Sequence, residues 1–462
     1  MQGLAAKAHD VFSSGVYLPL SRLQRRVHPA RRETMSAYQE GMRFRRASAE
    51  WSADLKRQWV LGRLRFLLRR AYAETEYYKT LFDRIGFDPK SEFTFEEFAQ
   101  LPILEREDVR NAGRDLISRA IQPDKLQRDS TGGSTGEPTE IWVGPEEKGW
   151  RESAAESFMQ TIGAQAGART ALLWGHHLDP VKSDNIRDRW YSFATNTRWF
   201  DCFRLSADVL DAYHREFSKM SPACIVAYAG ALADLARRIL ERGVRADYPS
   251  RCLVTGAEKL YSHDRRAIED AFGKPVHERY GARDVGPVGF QSAPAWALDF
   301  QIDWSNVLVE PETPEPNAPI LITKLHADGM PMIRYRIGDI GRFPSASRPG
   351  NPAFKLHEVV GREVDRIRLR DGRWISGAQM PHLLKDYCVK RFMFVQRSDY
   401  SIELKIIPAA GFMSENRDDI FATVSANLPG LPLSLQMVDE LPRTRSNKHR
   451  PVMSELAMSR GR

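Results

Sequence analysis

Cysteine is scarce in this sequence of 462 residues. The four cysteines are Cys202, Cys224, Cys252 and Cys388. None lies close to another along the chain, which argues against a disulfide framework and against the paired spacing of a zinc site. We therefore expect free thiols, no structural zinc and a reducing compartment.

Long apolar runs are also missing. No stretch approaches the roughly 18 consecutive apolar residues that a bilayer span requires. Lys7, His9 and Asp10 interrupt the segment that would have to form the apolar part of a signal peptide. These absences predict a cytoplasmic protein without a membrane span.

Charge is not strongly biased. Lysine and arginine total 68 and aspartate and glutamate 60, so the net charge is +8. The positive residues alternate with acidic ones over most of the chain, which indicates a solvated surface or one that attracts a nucleotide. No recognised nucleic-acid module is present, and we expect no nucleic-acid partner. The 42% apolar and 28% charged content is that of a globular enzyme.

The length exceeds the roughly 250–300 residues at which single cores stop growing, so we expect more than one domain. Residues 1–125 are predicted to be helical. Apolar residues recur at helical spacing between Leu61 and Ala71, with arginines among them, which predicts an amphipathic helix with a solvated basic side. Thr94 and Glu97 form a T-x-x-E capping box ahead of Phe98.

Residues 126–360 have a different pattern. Short β-like runs at 171–174, 224–229 and 252–256 alternate with helical stretches, which predicts an α/β core with a largely parallel sheet. A Pro/Glu-rich turn before the run at 320–325 predicts a hairpin loop. Residues 361–462 are predicted to be a small mobile α+β domain. It contains a β-hairpin around Asp371 and Gly372 and a helix around 414–427.

The segment Ser130–Thr139 is rich in glycine, serine and threonine. Glycines let the backbone approach a ligand closely, and successive N–H groups can then form an anion-binding concavity. The loop is not a Walker A motif, since no lysine follows Gly136. Judged alone, it is equally consistent with an ordinary surface loop.

Five further segments support a functional interpretation of this loop. Together with the loop, the segments in order along the chain are Ser130–Thr139, Thr255–Glu258, Tyr280–Asp284, Arg334–Asp339, Gly361–Asp365 and Arg443–Lys448. Together they resemble the adenylate-forming superfamily of acyl-CoA synthetases, and within it the phenylacetate–CoA ligase-like branch, which includes ligases of capsular-polysaccharide clusters. The resemblance covers about residues 50–455.

The resemblance implies a site for ATP and Mg²⁺. The triphosphate would lie on Ser130, Thr131, Gly132, Gly133, Ser134, Thr135 and Gly136, with Thr135 and Asp284 near Mg²⁺. Adenine and AMP would contact Gly256, Ala257, Glu258, Tyr280 and Gly281. Asp339 would accept hydrogen bonds from the ribose hydroxyls, Arg362 would lie near the ribose or phosphate, and Lys448 would reach the α-phosphate.

The acid substrate would bind near Trp174, His176 and Tyr228. The implied reaction adenylates a small carboxylic acid and then transfers the acyl group to coenzyme A. Two alternatives stay open. The acceptor could instead be an amine, a hydroxyl or a carrier thiol, or the chain could be a non-catalytic nucleotide-binding homologue. The last is favoured only by departures from the family pattern, since Asp284 is shorter than the family's glutamate and Val364 stands where many relatives have aspartate.

Overall fold

The computed structural model describes most of the chain in segments, namely residues 29–130, 139–164, 167–175, 193, 195–202, 205–292, 299–362, 366–371, 374–376, 380–384, 387–409, 411–441 and 451–456. The chain divides into two compact units. The first is Met1–Ile337 with Phe343–Glu358, and the second is Gly338–Arg342 with Val359–Arg462. None of the helices in these segments is long and apolar enough to cross a membrane.

The helices described in the first unit are α1 (Pro29–Ala47), α2 (Ala53–Glu74), α3 (Glu76–Ile85), α4 (Phe95–Phe98), α5 (Arg106–Ala112), α6 (Pro145–Thr161), α7 (Ala207–Met220), α8 (Ala229–Glu241) and α9 (Ser262–Phe272). Two short 3₁₀ turns, at Gly113–Leu116 and Pro123–Lys125, follow α5. The helical character expected of the first 125 residues is thus present from α1 to α5.

Local sequence accounts for several helix ends. The predicted capping box before α4 is confirmed, because Thr94 Oγ1 accepts from the Glu97 amide at 3.3 Å and Glu97 Oε2 accepts from the Thr94 amide at 2.7 Å. Each bond satisfies an amide that the first helical turn leaves without a partner. Pro145 occupies the first turn of α6, where its missing N–H costs nothing.

The basic side of α2 is solvated only in part: the Arg69 side chain is 47% exposed, whereas those of Arg63 and Arg70 are 18% and 16% exposed. Arg63 donates to the Leu325 carbonyl at 2.9 Å and pairs with Glu146, and Arg70 bonds Glu146 at 2.9 Å. Leu64, Leu67, Leu68 and Ala71 on the same helix are fully buried. Helical periodicity predicts the apolar face correctly, but neighbouring elements cover Arg63 and Arg70, and periodicity carries no information about those elements.

The strands of the first unit are β1 (Gln127–Ser130), β2 (Glu140–Val143), β3 (Thr170–Trp174), β4 (Thr197–Asp201), β5 (Cys224–Tyr228), β6 (Cys252–Gly256), β7 (Val276–Ala282), β8 (Gly286–Gln291), β9 (Phe300–Ile302), β10 (Val307–Pro311), β11 (Asn317–Lys324) and β13 (Lys355–Leu356). Strand β12 (Tyr335–Arg342) begins in the first unit and ends in the second.

An eight-stranded sheet has the order β13-β9-β8-β7-β6-β5-β3-β4. Strands β3 to β7 are parallel to one another, and β8, β9 and β13 continue the sheet in antiparallel fashion. The α/β core with a largely parallel sheet is confirmed. Helices α7, α8 and α9 supply the buried apolar cluster on one face, and α6 contributes Phe158 to the cluster on the other.

Two cysteines that are distant in sequence meet in this sheet. Cys224 and Cys252 are direct partners on β5 and β6, and their sulfurs lie 3.1 Å apart as free thiols. The sequence spacing had indicated no close pair, and strand pairing overrides that indication. The predicted hairpin loop before residue 320 is confirmed, since β10 and β11 pair antiparallel with Pro311 opposite Ile320.

The second unit contains β14 (Glu358–Arg362, all but its first residue), β15 (Arg366–Arg368), β16 (Trp374–Ser376), α10 (Met380–Leu384), β17 (Val389–Gln396), β18 (Ile402–Pro408), α11 (Ser414–Asn427), β19 (Leu433–Met437) and β20 (Val452–Ser454). Its four-stranded sheet, in the order β19-β18-β17-β20, packs against α11 around Ile420 and Val424. The hairpin around Asp371 is present, with Arg368 opposite Trp374.

Candidate active site

The candidate site lies where four parallel strands end. Trp174 ends β3, Tyr228 ends β5, Gly256 ends β6, and β7 carries Tyr280 close to its end. Because carboxyl ends of neighbouring parallel strands meet at one edge of a sheet, these residues share that edge. This is the edge at which open α/β sheets bind ligands.

Two of the predicted acid-binding residues contact each other. The rings of Trp174 and Tyr228 pack edge to face, with centroids 4.5 Å apart and planes at 88°. The Tyr228 hydroxyl donates to the Gly175 carbonyl at 2.9 Å, which satisfies the polar end of a buried ring. The third predicted residue, His176, lies outside the described residues.

The segment Gly256–Glu258 turns sharply after β6. Ala257 has a φ of 66°, in the left-handed region that is uncommon for a residue with a side chain. A Cβ on Gly256 would lie 2.9 Å from Cγ of Arg279, so glycine is required for the close approach of β7. One carboxylate oxygen of Glu258 accepts the Gly230 amide at 3.1 Å and thereby caps α8, whose N-cap residue supplies no side-chain bond. Glu258 therefore has a structural role at the predicted nucleotide site, as the N-terminal cap of α8.

Tyr280 and Gly281 lie inside β7. Tyr280 is half-buried, and its ring meets Phe300 at a centroid distance of 6.1 Å. A Cβ on Gly281 would lie 2.5 Å from the carbonyl oxygen of Gly286 on the opposing strand. The ladder shifts register between Tyr280 and Gly281, which marks a bulge within the motif, and β7 then ends at Ala282.

Asp284, the predicted Mg²⁺ ligand, is buried with a side-chain exposure of 3%. Its Oδ2 accepts from the Tyr335 hydroxyl at 2.9 Å and lies 3.6 Å from Nη2 of Arg106. Burial, followed by the neighbouring carboxylate, raises the pKa of Tyr335 and keeps it a donor. A cation bound here would have to use the other oxygen or displace Arg106. The metal role of Asp284 stays a prediction.

The turn that carries Asp284 is held by a buried network that the sequence motifs did not reveal. Arg151 donates to the carbonyls of Arg283 at 3.1 Å and Asp284 at 2.9 Å. Arg151 also pairs with Glu147, whose carboxylate lies 3.0 Å from Nζ of Lys324. The i, i+4 spacing of Glu147 and Arg151 on α6 is visible in the sequence, but spacing alone does not predict burial.

A second connection joins this turn to the glycine-rich loop. Arg283 lies 3.3 Å from Asp129 on β1, and the same Asp129 oxygen accepts from the Ser130 amide at 2.8 Å. Ser130 is the first residue of the predicted phosphate loop. Thr131, Gly132, Gly133, Ser134, Thr135, Gly136 and Lys448 lie outside the described residues.

In the second unit, Asp339 and Arg362 lie together. Nε of Arg362 is 3.4 Å from Oδ1 of Asp339, whose side chain is 12% exposed. Asp339 is part of β12, so it is not a turn residue. Their ribose and phosphate roles stay predictions. Within the described segments, no three His, Cys, Asp or Glu side chains are grouped to hold a metal ion.

The described half of the site fits a nucleotide in one respect. Tyr280 presents a half-buried ring at this edge of the sheet, whereas the Arg279 side chain crosses Gly256 and the Gly286 backbone lies against Gly281. A half-buried aromatic ring suits a flat base, which can stack on it.

Several known proteins share sequence or fold with this chain. No family model matches the chain. Protein CapK of Staphylococcus aureus is 21% identical over 301 residues, which is 64% of this chain and 66% of CapK, just under two thirds. Phenylacetate-coenzyme A ligase of Pseudomonas putida is 23% identical over 338 residues, or 69% of this chain and 73% of that protein. The solved structure of 2-hydroxyisobutyryl-CoA ligase in the postadenylation state with R3-HIB-AMP matches at a TM-score of 0.66 and 17% identity, over 88% of this chain and 90% of that one.

The fold is that of the adenylate-forming ligases. Within that class, the homologues of this chain are phenylacetate–CoA ligase and CapK, and the branch indicated by the sequence motifs is confirmed.

Proposed function

We propose that this chain is an AMP-forming acid ligase that adenylates a small carboxylic acid with ATP and passes the acyl group to coenzyme A. The observation that carries the proposal is the convergence of Trp174, Tyr228, Gly256 and Tyr280 at one sheet edge. The phenylacetate–CoA ligase relatives support the reaction type, and the postadenylation structure supports the fold.

In the first half-reaction, a carboxylate oxygen of the acid attacks the α-phosphorus of ATP, an acyl–AMP anhydride forms, and pyrophosphate leaves. Such a step asks the protein mainly for positioning and charge neutralisation. We assign the triphosphate to the loop Ser130–Thr139 and the α-phosphate to Lys448. Mg²⁺, for which Asp284 and Thr135 are the candidate ligands, would neutralise phosphate charge when bound.

In the second half-reaction, the thiol of coenzyme A loses its proton to solvent and its sulfur attacks the acyl carbon. The acyl carbon–oxygen bond to AMP breaks, the thioester forms, and AMP leaves with the electron pair of that bond. A second candidate acceptor is an amine, a hydroxyl or a carrier thiol in place of coenzyme A. The existing ion pair and hydrogen bond on Asp284 keep a non-catalytic nucleotide-binding role as the third outcome of the test.

The test is pyrophosphate release from ATP with a panel of aliphatic and aromatic acids, with and without coenzyme A. Acid-dependent release followed by coenzyme A-dependent loss of the adenylate supports the proposal. Release that requires an amine or a hydroxyl supports the second acceptor class. ATP binding without release for any acid overturns the catalytic proposal.

Lys448→Ala provides a sharper test of the same chemistry. We expect it to lower acid-dependent pyrophosphate release by about 100-fold or more, since it removes a charge that would oppose the developing phosphoryl charge. Conversion of a chemically prepared adenylate to thioester should change little. Lys390→Ala, an exposed lysine of the same unit, is the matched control and should leave both steps intact. Equal losses in the two half-reactions of Lys448→Ala would refute the assigned role.

A further inference from the structure

Among the described residues, the guanidinium of Arg279 contacts one of the predicted acid-binding residues, Trp174. Arg279 precedes Tyr280 on β7, and its side chain crosses Gly256, where a Cβ would meet its Cγ at 2.9 Å and its Nε at 3.0 Å. From there the guanidinium reaches the ring of Trp174, with its central carbon 4.8 Å from the ring centroid. The side chain therefore extends from β7 across the end of β6 toward the strands that carry the predicted acid-binding residues.

The surroundings of this guanidinium are aromatic. Phe290 is the direct partner of Arg279 on β8, so both side chains lie on the same face of the sheet. Phe290 stacks on Phe158 of α6 at a centroid distance of 4.3 Å. Burial lowers the pKa of Arg279 to about 10, and it stays charged at neutral pH.

No acidic side chain neutralises Arg279 within the described part of the chain. Among these residues, its guanidinium contacts the ring face of Trp174 and interacts electrostatically with Tyr228. Tyr228 is itself committed to the Gly175 carbonyl. Arg279 is half-buried, and a charge that is largely removed from water without a counter-ion is unfavourable, so such residues are usually paired or in contact with a ligand. The cation–π contact with Trp174 offsets part of this cost.

We propose that Arg279 binds a second anionic group on the acid substrate, so that the substrates of this site are small acids carrying a further carboxylate or an equivalent anion. This inference rests on the proposed function. The planar guanidinium matches such a group, because it can donate two parallel hydrogen bonds to a carboxylate.

The reacting carboxylate is a poorer partner for this residue. Adenylation removes the negative charge of that carboxylate, because its carbonyl becomes part of the acyl–AMP anhydride. The half-buried guanidinium would then have no anionic partner in the intermediate. A strong pair with the reacting oxygens would also stabilise the ground state and slow the attack. A second anion avoids both costs, since it keeps its charge through both half-reactions.

The experiment compares acids of equal chain length with and without a second carboxylate: butyrate with succinate, valerate with glutarate, and benzoate with phthalate and terephthalate. Acid-dependent exchange of pyrophosphate into ATP gives kcat and KM for each acid. Wild-type protein is compared with Arg279→Met and Arg279→Lys. Arg198→Met, at an exposed arginine of β4, is the matched control.

We expect the wild type to prefer at least one diacid over its monoacid partner. Arg279→Met should raise KM for that diacid by about 100-fold, the usual scale for removing one member of a buried charged pair, and should leave the monoacid unchanged or improved. Arg279→Lys should lie between the two, because it keeps the charge and loses the bidentate geometry. Arg198→Met should leave the preference as it is.

A stability measurement separates ligand binding from a structural role. Without substrate, Arg279→Met should unfold at the same urea concentration as the wild type or at a higher one, since it removes an unpaired, half-buried charge. A clear loss of stability together with equal losses for all acids would show that Arg279 pairs within the protein, and would overturn the inference.

The outcomes also separate this inference from the proposed function. Exchange with monoacids alone, unaffected by Arg279→Met, overturns the inference and supports the ligase activity. If no acid supports exchange, the ligase proposal fails. Calorimetric titration with the same diacids then decides the inference: binding that Arg279→Met abolishes supports it, and no diacid binding overturns it.

Discussion

The buried network behind the Asp284 turn allows a prediction in which the loss of stability differs in size between two contacting residues, Glu147 and Lys324. Glu147 lies between two cations, Lys324 and Arg151, and the side chains of Glu147 and Lys324 are only 3% and 2% exposed. Burial lowers the pKa of Lys324, while the Glu147 carboxylate opposes that effect. The three charges sum to +1, so the consequence of a substitution depends on which charge it removes.

Glu147→Gln removes the central anion and leaves two buried cations facing each other. Removing one partner of a buried pair costs about 3–5 kcal/mol of unfolding free energy. Lys324→Met instead leaves the Glu147–Arg151 pair intact and fills the space with an apolar side chain, so we expect a loss of at most about 2 kcal/mol. In the Glu147→Gln background, Lys324→Met should recover part of the lost stability.

Urea unfolding of the four proteins, followed by fluorescence and circular dichroism, gives the double-mutant cycle. Since Arg151 positions the Asp284 turn through two carbonyls, Glu147→Gln should also lower adenylation activity more than Lys324→Met does. The reasoning is refuted if Lys324→Met costs as much as Glu147→Gln, or if the two effects simply add.

Two further predictions concern pH and backbone spacing. His326 is buried between Trp150 and its hydrogen-bond partners, and burial lowers its pKa to about 4. As the pH falls from 6.5 to 4, the unfolded state therefore binds a proton at this histidine before the folded state does. The unfolding free energy should decrease by about 3 kcal/mol over this range. Burial raises the pKa of Asp328 to about 6, so this residue stabilises the folded state over part of the same pH range. The contribution of His326 should therefore be measured as the difference in unfolding free energy between wild type and His326→Gln at each pH. If this difference does not change with pH, the assignment of the effect to His326 is contradicted. Gly281→Ala should cost about 1–3 kcal/mol and impair adenylation, since its Cβ would meet backbone at 2.5 Å. Gly62→Ala, on a helix with no atom within 4 Å of the new methyl group, is the control and should stabilise by about 0.5–1 kcal/mol.

Local chemistry made much of the fold predictable. The side chains of Thr94 and Glu97 each accept a hydrogen bond from the other residue's backbone amide. Since both residues lie within one four-residue segment, this capping box does not depend on the rest of the fold. Helix α11 spans the predicted 414–427, because its apolar positions and boundaries are encoded within one short window. The alternation of buried strands with helices likewise predicted the parallel sheet, whose register follows from burial of both faces.

Site details were less predictable, because they depend on groups brought together from distant parts of the chain. The family resemblance implied that Asp284 is a metal ligand, but whether its carboxylate faces a cation or Tyr335 depends on a strand 51 residues away. The bulge in β7 after Tyr280 depends on the pairing of this strand with β8.

The sequence by itself determined the class of protein, because the order of its motifs and the periodicity of its elements are properties of the chain. Tertiary structure alone decided which charges are buried and what they face. It placed the arginines of α2 against Glu146, Lys324 against Glu147, and Arg279 over the ring of Trp174. The free energy of a charge depends on how far it is removed from water and on which groups surround it, and both are set only when distant segments pack together.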